Sequence, residues 1–393
     1  MQSENLKINL FCLGDSADIN TWSNLPYFLS KALIRRGAIV NRINVYPYEY
    51  FRYNLYMHLL ERWISIRKWL GFDRGYDFFR DRVACHFAGK RIEREAVRAL
   101  AADLNIFLTF SFSSRRYTAT PVIHIGDITY EQYLEESESK KGKHELRFVE
   151  REKENLRLAS IVCAPSQHCC DFLRSRYRLT NVRRLPLGIN LEVDDQIDVN
   201  QLLNRKWEAK SILFVGRGIH KRGIDILLRA FEQFNEQYNN SFTLTIVGES
   251  RSKLETTNER VHCYEYLSKN KPEELARYLD LLRSATMFVM PMREGPFPGV
   301  IREALFSHTP VIVSNIWNEE QKIEHGRNGV LVDEIEPTAF ARQMHLLIQN
   351  RAQWEQMAKD AHASVQRYSW DQCAKELLEA ATDHIHLART ACS

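Results

Sequence analysis

The chain lacks any long hydrophobic run. No window approaches the ~18 consecutive apolar residues that a membrane-spanning helix requires, and the first nine residues, MQSENLKIN, are too polar to open a signal peptide. Low-complexity tracts and short repeats are also missing, which excludes fibrous, disordered and solenoid classes. We therefore predict a cytoplasmic protein without a transmembrane segment.

Metal-binding cysteine patterns and an excess of one charge are also missing. The eight cysteines are scattered without a CxxC pair, so we expect reduced thiols and no zinc site. His168 lies beside Cys169 and Cys170, but neighbouring helical residues point in different directions and cannot converge on one ion. The 54 Lys and Arg residues nearly balance 50 Asp and Glu residues, which predicts no nucleic-acid partner.

Strand and helix patterns do alternate along the chain. Strands are predicted in the first half at 8–13, 38–45, 106–110, 122–125 and 160–164, with a helix over 25–36. The alternation restarts with a strand at 211–215 and continues to a strand at 311–314. This order predicts an α/β fold of mostly parallel sheets covered by helices, with ligands at the carboxyl ends of the strands.

A polar stretch divides the two sets of elements. Asn190–Lys206 is rich in Asp and Asn and has no sustained period, which predicts an interdomain linker and a boundary near residue 200. We therefore predict a first domain over 1–200 and a second over 201–369. The strongly helical end of the chain, about 370–393, is expected to complete the first domain.

A glycine-bearing basic loop follows the first strand of the second half. The run Phe214–Gly223 (FVGRGIHKRG) places Arg217, Lys221 and Arg222 between a strand and a helix. Glycines let the backbone approach an anion, and the helix start adds N–H groups and partial positive charge. The loop suits a diphosphate; the alternative interpretation is a solvated basic turn, because glycine loops are common.

An acidic run follows a later strand. Met290–Leu305 (MPMREGPFPGVIREAL) carries Glu294 in a Gly and Pro loop and Glu303 in the next helix. Carboxylates there can accept hydrogen bonds from sugar or ribose hydroxyls, while the N–H groups of Gly299 and Val300 can face a phosphate. Taken alone, Glu303 would be interpreted as a surface glutamate. A binding site is favoured because a strand, a glycine loop and a helix follow one another in this order.

These runs resemble the retaining glycosyltransferases of family 4, whose GT-B fold has two Rossmann-like domains facing a central cleft. The basic loop is similar to the family's Gly-Arg through Lys-Gly segment, and the acidic run to its Glu-x7-Glu motif. Residues 324–331 are similar to its glycine-rich exit from the next strand. In the first half, 22–27 (WSNLPY) resembles an acceptor-side loop, and 124–127 (HIGD) resembles the segment near the donor sugar.

The resemblance implies transfer of a hexose-type sugar from a nucleotide sugar to a glycan or lipid-linked acceptor, in surface polysaccharide biosynthesis. Anomeric configuration would be retained, and the nucleotide sugar would be a co-substrate without any metal or other cofactor. The implied catalytic residues are Arg217, Lys221, Arg222, Glu294, His124 and Asp127. The implied donor-binding residues are Gly216, Gly218, Gly295, Phe297, Pro298, Gly299, Val300 and Glu303. The implied acceptor-side residues are Trp22, Ser23 and Asn24.

Roles follow from the same resemblance. Arg217 and the pair at 221 and 222 would stabilise the departing diphosphate, and Glu303 would hold the ribose. Glu294 would bind hydroxyls of the donor sugar, with His124 or Asp127 contacting that sugar from the other domain.

The sequence departs from the family pattern in several places. Glu303 follows Glu294 by nine positions instead of eight, so either Pro296 is an insertion or Gly295 takes the acidic position. Arg222 stands where the family has lysine, and the two cations differ in geometry. Asn24 stands where related chains often have glycine, and His124 has the alternative interpretation of a packed histidine.

A basic aromatic segment lies in the first half. Residues 51–98 contain eleven Lys and Arg against six Asp and Glu, a net charge of +5 that exceeds the +4 of the whole chain. This favours peripheral contact with an anionic membrane at the inner face of the cell. The alternative is a core helix with a solvated basic face.

Two other classes of function remain open on the sequence. A non-catalytic nucleotide-sugar-binding subunit would keep the fold with an altered acidic motif. A GT-B epimerase or phosphorylase would use related phosphates, since fold alone does not decide function; no lysine stands out as a pyridoxal anchor, which disfavours the phosphorylase.

Overall fold

The structure is a computed structural model that describes residues 6–69, 82–98, 102–136, 142–191, 198–294, 298–316 and 323–390. The chain forms two compact units. Unit 1 comprises Met1–Pro186 together with Cys373–Ser393, and unit 2 comprises Leu187–Gln372. The position near residue 200 that the sequence suggested as a boundary lies inside unit 2.

Unit 1 is built on a six-stranded sheet with the order β2-β1-β3-β4-β5-β6. Neighbouring strands are parallel throughout. The strands are β1 (Lys7–Cys12), β2 (Ile39–Asn44), β3 (Leu104–Phe107), β4 (Val122–Ile125), β5 (Ile161–Ala164) and β6 (Val182–Arg184). The helices are α1 (Leu25–Arg35), α2 (Phe51–Trp69), α3 (Arg82–Arg98), α4 (Tyr130–Glu136), α5 (Lys143–Arg157) and α6 (Gln167–Arg176).

Unit 2 has a second six-stranded parallel sheet with the order β12-β11-β10-β7-β8-β9. Its strands are β7 (Ser211–Val215), β8 (Thr243–Val247), β9 (Val261–Tyr264), β10 (Met287–Met290), β11 (Val311–Ser314) and β12 (Gly329–Val332). Its helices are α7 (Val199–Ala209), α8 (Ile224–Glu236), α9 (Pro272–Ser284), α10 (Gly299–Phe306), α11 (Pro337–Ile348) and α12 (Arg351–Val365). The last helix, α13 (Trp370–Thr390), carries the chain from unit 2 into unit 1.

The central strands are buried on both faces, which explains why they form parallel sheets covered by helices. All four residues of β4, of β5 and of β10 are buried. Such strands read as continuous apolar runs because neither face contacts water. The predicted α/β fold class with two Rossmann-like domains is therefore confirmed.

The predicted linker is wrong over its second half, where α7 begins at Val199. The Asp198 carboxylate caps this helix by accepting hydrogen bonds from the N–H groups of Asn200 and Gln201. Lys206 is fully buried, and its Nζ donates to the carbonyl oxygens of Leu282 and Ala285. A polar sequence thus forms a packed helix because its lysine has buried acceptors.

The strand order of unit 2 reverses between two neighbouring strands. The chain goes from β7 outward to β8 and β9, and then returns to β10 on the other side of β7. The loops after β7 and β10 therefore leave the sheet in opposite directions and open a crevice at the carboxyl edge. In parallel α/β sheets this position is where ligands bind.

Among the described residues, no helix is long and apolar enough to cross a membrane.

Candidate active site

The two sequence runs singled out for chemistry lie side by side at this crevice. The basic loop follows β7 and the acidic run follows β10, and the two strands pair with Ile212 opposite Met287. The backbone N–H of Arg293 donates to the carbonyl of Lys221 at 3.0 Å. Gly223 has a positive φ of 74°, and a Cβ there would lie 1.9 Å from the carbonyl oxygen of Pro291. Only glycine therefore allows this approach of the two segments.

An ion pair that the sequence analysis missed also joins these segments. Arg293 donates through NH1 and NH2 to Oδ1 and Oδ2 of Asp225 at 2.8 and 2.7 Å. Burial raises the pKa of Asp225, but the two bonds from Arg293 outweigh it and hold that pKa below its usual range. The bidentate pair fixes the start of α8 against the segment that follows β10.

Two of the three predicted cations of the basic loop, Lys221 and Arg222, lie near Glu294. The Nζ of Lys221 lies 3.8 Å from Oε1 of Glu294. Burial lowers the pKa of Arg222, and the charge of Glu294 partly offsets this. Arg217 is exposed, and its guanidinium carbon lies 4.9 Å from the ring centroid of Tyr266. The structure thus brings Lys221, Arg222 and Glu294 together and holds Arg217 on an aromatic face.

Two backbone donors of the basic loop, the N–H groups of Gly216 and Gly218, bond to acceptors inside the protein. The N–H of Gly216 donates to the carbonyl of Val247 at 2.8 Å. The N–H of Gly218 donates to Oε1 of Glu249, also at 2.8 Å. Gly218 has a φ of +98°, so its glycine is needed for the shape of the loop. These two N–H groups are therefore not available to an anion, whereas the side chains of the cations can contact one.

Glu303 lies deeper than the sequence suggested. Its side chain is 3% exposed, and Oε1 accepts a hydrogen bond from Nζ of Lys269 at 3.0 Å. Oε2 accepts from the hydroxyl of Tyr278 at 2.5 Å. Lys269 also donates to the carbonyl of Asn190 at 2.9 Å. Burial, followed by the charge of Glu303, raises the pKa of Tyr278, so its phenol stays protonated.

The start of α10 carries backbone N–H groups that no described side chain caps. The helix begins at Gly299 after Pro298, and no described side chain caps it. A Cβ on Gly299 would meet no described atom within 4 Å. The first-turn N–H groups, including that of Val300, are the kind of donors that bind phosphate oxygens. Gly295 and Phe297, also expected here, lie outside the described residues.

His124 and Asp127, the two residues of unit 1 predicted to contact the donor sugar, differ in burial. His124 lies in β4 and is fully buried, with Nδ1 2.8 Å from the carbonyl of Thr109. Because a carbonyl only accepts, Nδ1 carries the proton; burial lowers the pKa of His124 to about 4 despite this bond. Asp127 follows the strand and is exposed. In this structure His124 is thus a neutral core residue, and Asp127 is the one of the two that reaches solvent.

The acceptor-side residues form a short 3-10 helix over Thr21–Asn24, after β1. Trp22 is 43% exposed, and both Trp22 and Asn24 have positive φ, at 44° and 70°. Asn tolerates this left-handed conformation better than most residues. Asn24 therefore replaces glycine at low cost, and its side chain donates to the carbonyl of Ile19.

Across the described ranges, no group of three or more His, Cys, Asp and Glu residues is placed to hold a metal ion.

Comparison with known proteins identifies the domain that contains this crevice. Residues 209–350 match the family model of Glycosyl transferases group 1. These residues are similar to a group 1 glycosyltransferase domain. An uncharacterized glycosyltransferase of Methanocaldococcus jannaschii is 30% identical over 194 residues, covering 48% of each chain. A D-inositol 3-phosphate glycosyltransferase of Corynebacterium urealyticum is 28% identical over 247 residues, 60% of this chain and 54% of that one. The chain thus spans about half the length of the curated relatives it matches.

Solved structures extend the likeness to both units and show that the fold is GT-B. Sucrose-phosphate synthase from Thermosynechococcus elongatus has a TM-score of 0.68 at 18% identity, covering 99% of this chain and 100% of that chain. HepE from Anabaena, solved with UDP and glucose, has a TM-score of 0.63 at 17% identity and covers 96% and 100%. A putative UDP-N-acetylglucosamine 2-epimerase from Listeria monocytogenes has a TM-score of 0.58 at 13% identity, with 97% of each chain covered.

Proposed function

We propose that the protein is a retaining glycosyltransferase that moves a hexose-type sugar from a nucleotide sugar to a glycan or glycolipid acceptor in surface polysaccharide biosynthesis. The observation that carries the proposal is the meeting of the basic loop and the acidic run at the strand-order reversal of the group 1 domain. HepE, which shares the fold, was solved with UDP and glucose. Relatives of the group 1 domain are named as glycosyltransferases.

In this proposal, different side chains contact different parts of the nucleotide sugar. Arg217, Lys221 and Arg222 place cations where negative charge develops on the departing diphosphate, and such preorganised charges stabilise the transition state. Glu294, next to Lys221, accepts hydrogen bonds from sugar hydroxyls. The open N-terminus of α10 supplies N–H groups to the phosphates. No metal is needed for this scheme, because the cations neutralise the leaving group.

Glu303 takes the role of the ribose acceptor through its remaining lone pairs. A carboxylate has about four lone-pair sites, and Lys269 and Tyr278 use one on each oxygen. These two bonds fix the plane of the carboxylate, so that ribose hydroxyls meet a preoriented acceptor. In unit 1, Asp127 is the exposed candidate for contact with the donor sugar, and Trp22 to Asn24 border the acceptor.

Measuring turnover distinguishes a glycosyltransferase from a protein that only binds the nucleotide sugar. We expect Arg217→Ala to reduce the rate of nucleoside diphosphate release from the nucleotide sugar by roughly 10²-fold or more, with little change in thermal stability. Arg277→Ala is the matched control, because Arg277 also stacks on a tyrosine, with its guanidinium carbon 5.6 Å from the ring centroid of Tyr264. Equal rates in the two variants would remove Arg217 from the site.

An epimerase is the second candidate, because the putative epimerase from Listeria shares the whole fold. An epimerase interconverts its nucleotide sugar and needs no acceptor. A transferase instead releases nucleoside diphosphate in proportion to the acceptor added. Proton NMR of the donor sugar during turnover distinguishes the two, since only the epimerase yields a second nucleotide sugar. A non-catalytic subunit would give neither product.

The α2 helix supports contact with an anionic membrane. Five apolar side chains on one side of it are between 48% and 77% exposed, namely Phe51, Leu55, Leu59, Trp63 and Ile66. Arg52 and Arg62 are exposed on the same side. Exposed apolar and basic side chains together can contact the interface of an anionic membrane. Such contact would give access to a lipid-linked acceptor.

Vesicle flotation tests the membrane contact. We expect binding to vesicles that contain phosphatidylglycerol, weaker binding at high salt, and loss of binding in Leu59→Asp. Leu146→Asp is the matched control, because Leu146 is 49% exposed on α5 and Leu59 is 57% exposed. Binding that is absent in the wild type, or unchanged in Leu59→Asp, would refute the contact.

A further inference from the structure

Unit 1 contains a cavity that none of the predicted site residues is described as lining. Its volume is about 380 Å³, within the range of ~300–1,000 Å³ for small-molecule sites. Leu13 directly follows β1, Val45 directly follows β2, and both line it. The cavity therefore lies at the carboxyl edge of the first sheet, beside the reversal of strand order between β1 and β3. Parallel α/β sheets bind ligands at such positions.

The walls of the cavity are aromatic. Tyr46, Tyr48, Tyr53 and Phe112 line it. The rings of Tyr46 and Tyr48 are stacked with centroids 5.0 Å apart and planes at 21°. Burial raises the pKa of Tyr46, so its phenol remains a neutral hydroxyl. These faces offer flat apolar contact to a ring-shaped ligand.

One face of α2 supplies a polar rim. Asn54, His58 and Glu61 all line the cavity, and their spacing of four and then three residues places them on one side of the helix. The three side chains are exposed. The Nδ2 of Asn54 donates to the carbonyl of Tyr48 at 2.6 Å, which ties the rim to the aromatic wall. Amide, imidazole and carboxylate groups are all able to bond with hydroxyls.

We infer that this cavity binds one uncharged pyranoside ring, whose C–H face packs on the tyrosines while its hydroxyls bond to Asn54, His58 and Glu61. A ring with apolar faces and a polar edge matches both the walls and the rim. A phosphorylated sugar matches less well, because its charge has the same sign as the Glu61 carboxylate. The further assignment of this ring as the sugar acceptor rests on the proposed function, whereas binding of the ring does not.

Saturation-transfer difference NMR on the full-length protein tests the inference with methyl α-D-glucopyranoside as the probe. We expect transfer to the ring protons, and weaker binding of glucose 6-phosphate. Tyr48→Ala should weaken binding of the glycoside by roughly 3- to 10-fold, from the loss of one aromatic contact. Tyr117→Ala is the matched control, because Tyr117 is 36% exposed, Tyr48 is 58% exposed, and Tyr117 is not among the described lining residues.

A second variant tests the charge of the rim without touching the aromatic wall. Glu61→Gln should improve the binding of glucose 6-phosphate relative to the glycoside, and Glu93→Gln, an exposed position on α3, should not. Absence of transfer to the glycoside, equal binding in Tyr48→Ala and wild type, or tighter binding of glucose 6-phosphate to the wild type would each overturn the inference.

Different results would refute glycoside binding in the cavity and the proposed transferase activity. Glycoside binding that depends on Tyr48, in a protein that releases no nucleoside diphosphate, keeps the cavity assignment and removes the transferase. Turnover of a nucleotide sugar, in a protein that shows no transfer to the glycoside, keeps the transferase and removes the cavity assignment.

Discussion

Lys269 is the residue that pairs with Glu303, the buried acid of the proposed donor site. It is 10% exposed, and it joins the Glu303 carboxylate to the carbonyl of Asn190. Removing one partner of a buried ion pair leaves the other charge without compensation in a low-dielectric site. Glu303 therefore depends on Lys269 both for its stability and for its orientation.

We expect Lys269→Met to lower the free energy of unfolding by about 3–5 kcal/mol, because Glu303 would keep its burial without its cation. Urea denaturation measures this, and nucleotide-sugar affinity should fall in parallel. Lys271→Met is the control, since Lys271 is 69% exposed and its pair with Glu274 lies at the surface, where solvent screens the charges. A similar loss in both variants would show that Lys269 is not a buried partner.

His124 predicts a pH dependence of stability. Its folded pKa of about 4 lies below the ordinary 6.5, so the unfolded chain binds the proton first as pH falls. The stabilisation that neutral His124 contributes to the folded state is therefore complete above pH 6.5. This contribution falls by up to about 3 kcal/mol as the pH drops from 6.5 to 4. His124→Asn retains a donor for Thr109 and cannot titrate, so unfolding free energies from pH 7 to 4.5 should fall less steeply in this variant. An unchanged slope in His124→Asn would contradict this account.

Some residues of the candidate site could be predicted from the sequence immediately around them, and others could not. Arg217, Lys221, Arg222 and Glu294 stand in loops directly after apolar strands, so the position of the strand places them at the carboxyl edge. Lys269 and Tyr278 reach Glu303 across 34 and 25 positions. Asp225 and Arg293 are 68 positions apart. Single-sequence patterns hold no information on such distant pairs.

At the scale of elements, the site depends on two segments that pack closely where the sheet order reverses. The loop before α8 approaches the chain after β10 through Gly223, and the Arg293 pair with Asp225 holds the two together. The strands were predicted from their apolar runs. Their order in the sheet was not, because it depends on crossover connections between distant parts of the chain.

Gly223→Ala should disrupt this packing. The substitution places a Cβ 1.9 Å from the Pro291 carbonyl oxygen at a φ of +74°, and the backbone strain alone costs about 1–3 kcal/mol. Gly299→Ala, where a Cβ meets no described atom within 4 Å, should change stability by about 0.5 kcal/mol or less. Thermal unfolding of the two variants is the comparison, and equal stability would show that the two segments do not pack as described.

At the scale of the whole molecule, the chain crosses between its units at Pro186 and again within α13. The polar stretch at 190–206 led to a predicted boundary near residue 200, whereas the chain crosses at Pro186 and is helical from Val199 onward. The second crossing leaves the buried Cys373, Leu377 and Leu378 in unit 1. Unit 1 is therefore completed by residues from the far end of the chain.

Truncation after Gln372 should destabilise unit 1 selectively. It removes the buried apolar face that α13 contributes to unit 1 and leaves unit 2 intact. We expect calorimetry to show unit 1 unfolding at lower temperature while a nucleotide sugar still protects the remaining transition. A single unshifted transition in the truncated chain would contradict the division into units.

The most direct test of the central claim is a thermal-shift panel of uridine, guanosine and adenosine diphosphate sugars on the wild type, Arg217→Ala and Arg277→Ala. A ligand at 100 times its Kd stabilises the native state by about 2.7 kcal/mol. We predict that at least one of these nucleotide sugars raises the Tm of the wild type and of Arg277→Ala, and that the shift is strongly reduced in Arg217→Ala. Failure of every nucleotide sugar to raise the wild-type Tm, or an undiminished shift in Arg217→Ala, would contradict a donor site in the crevice between β7 and β10.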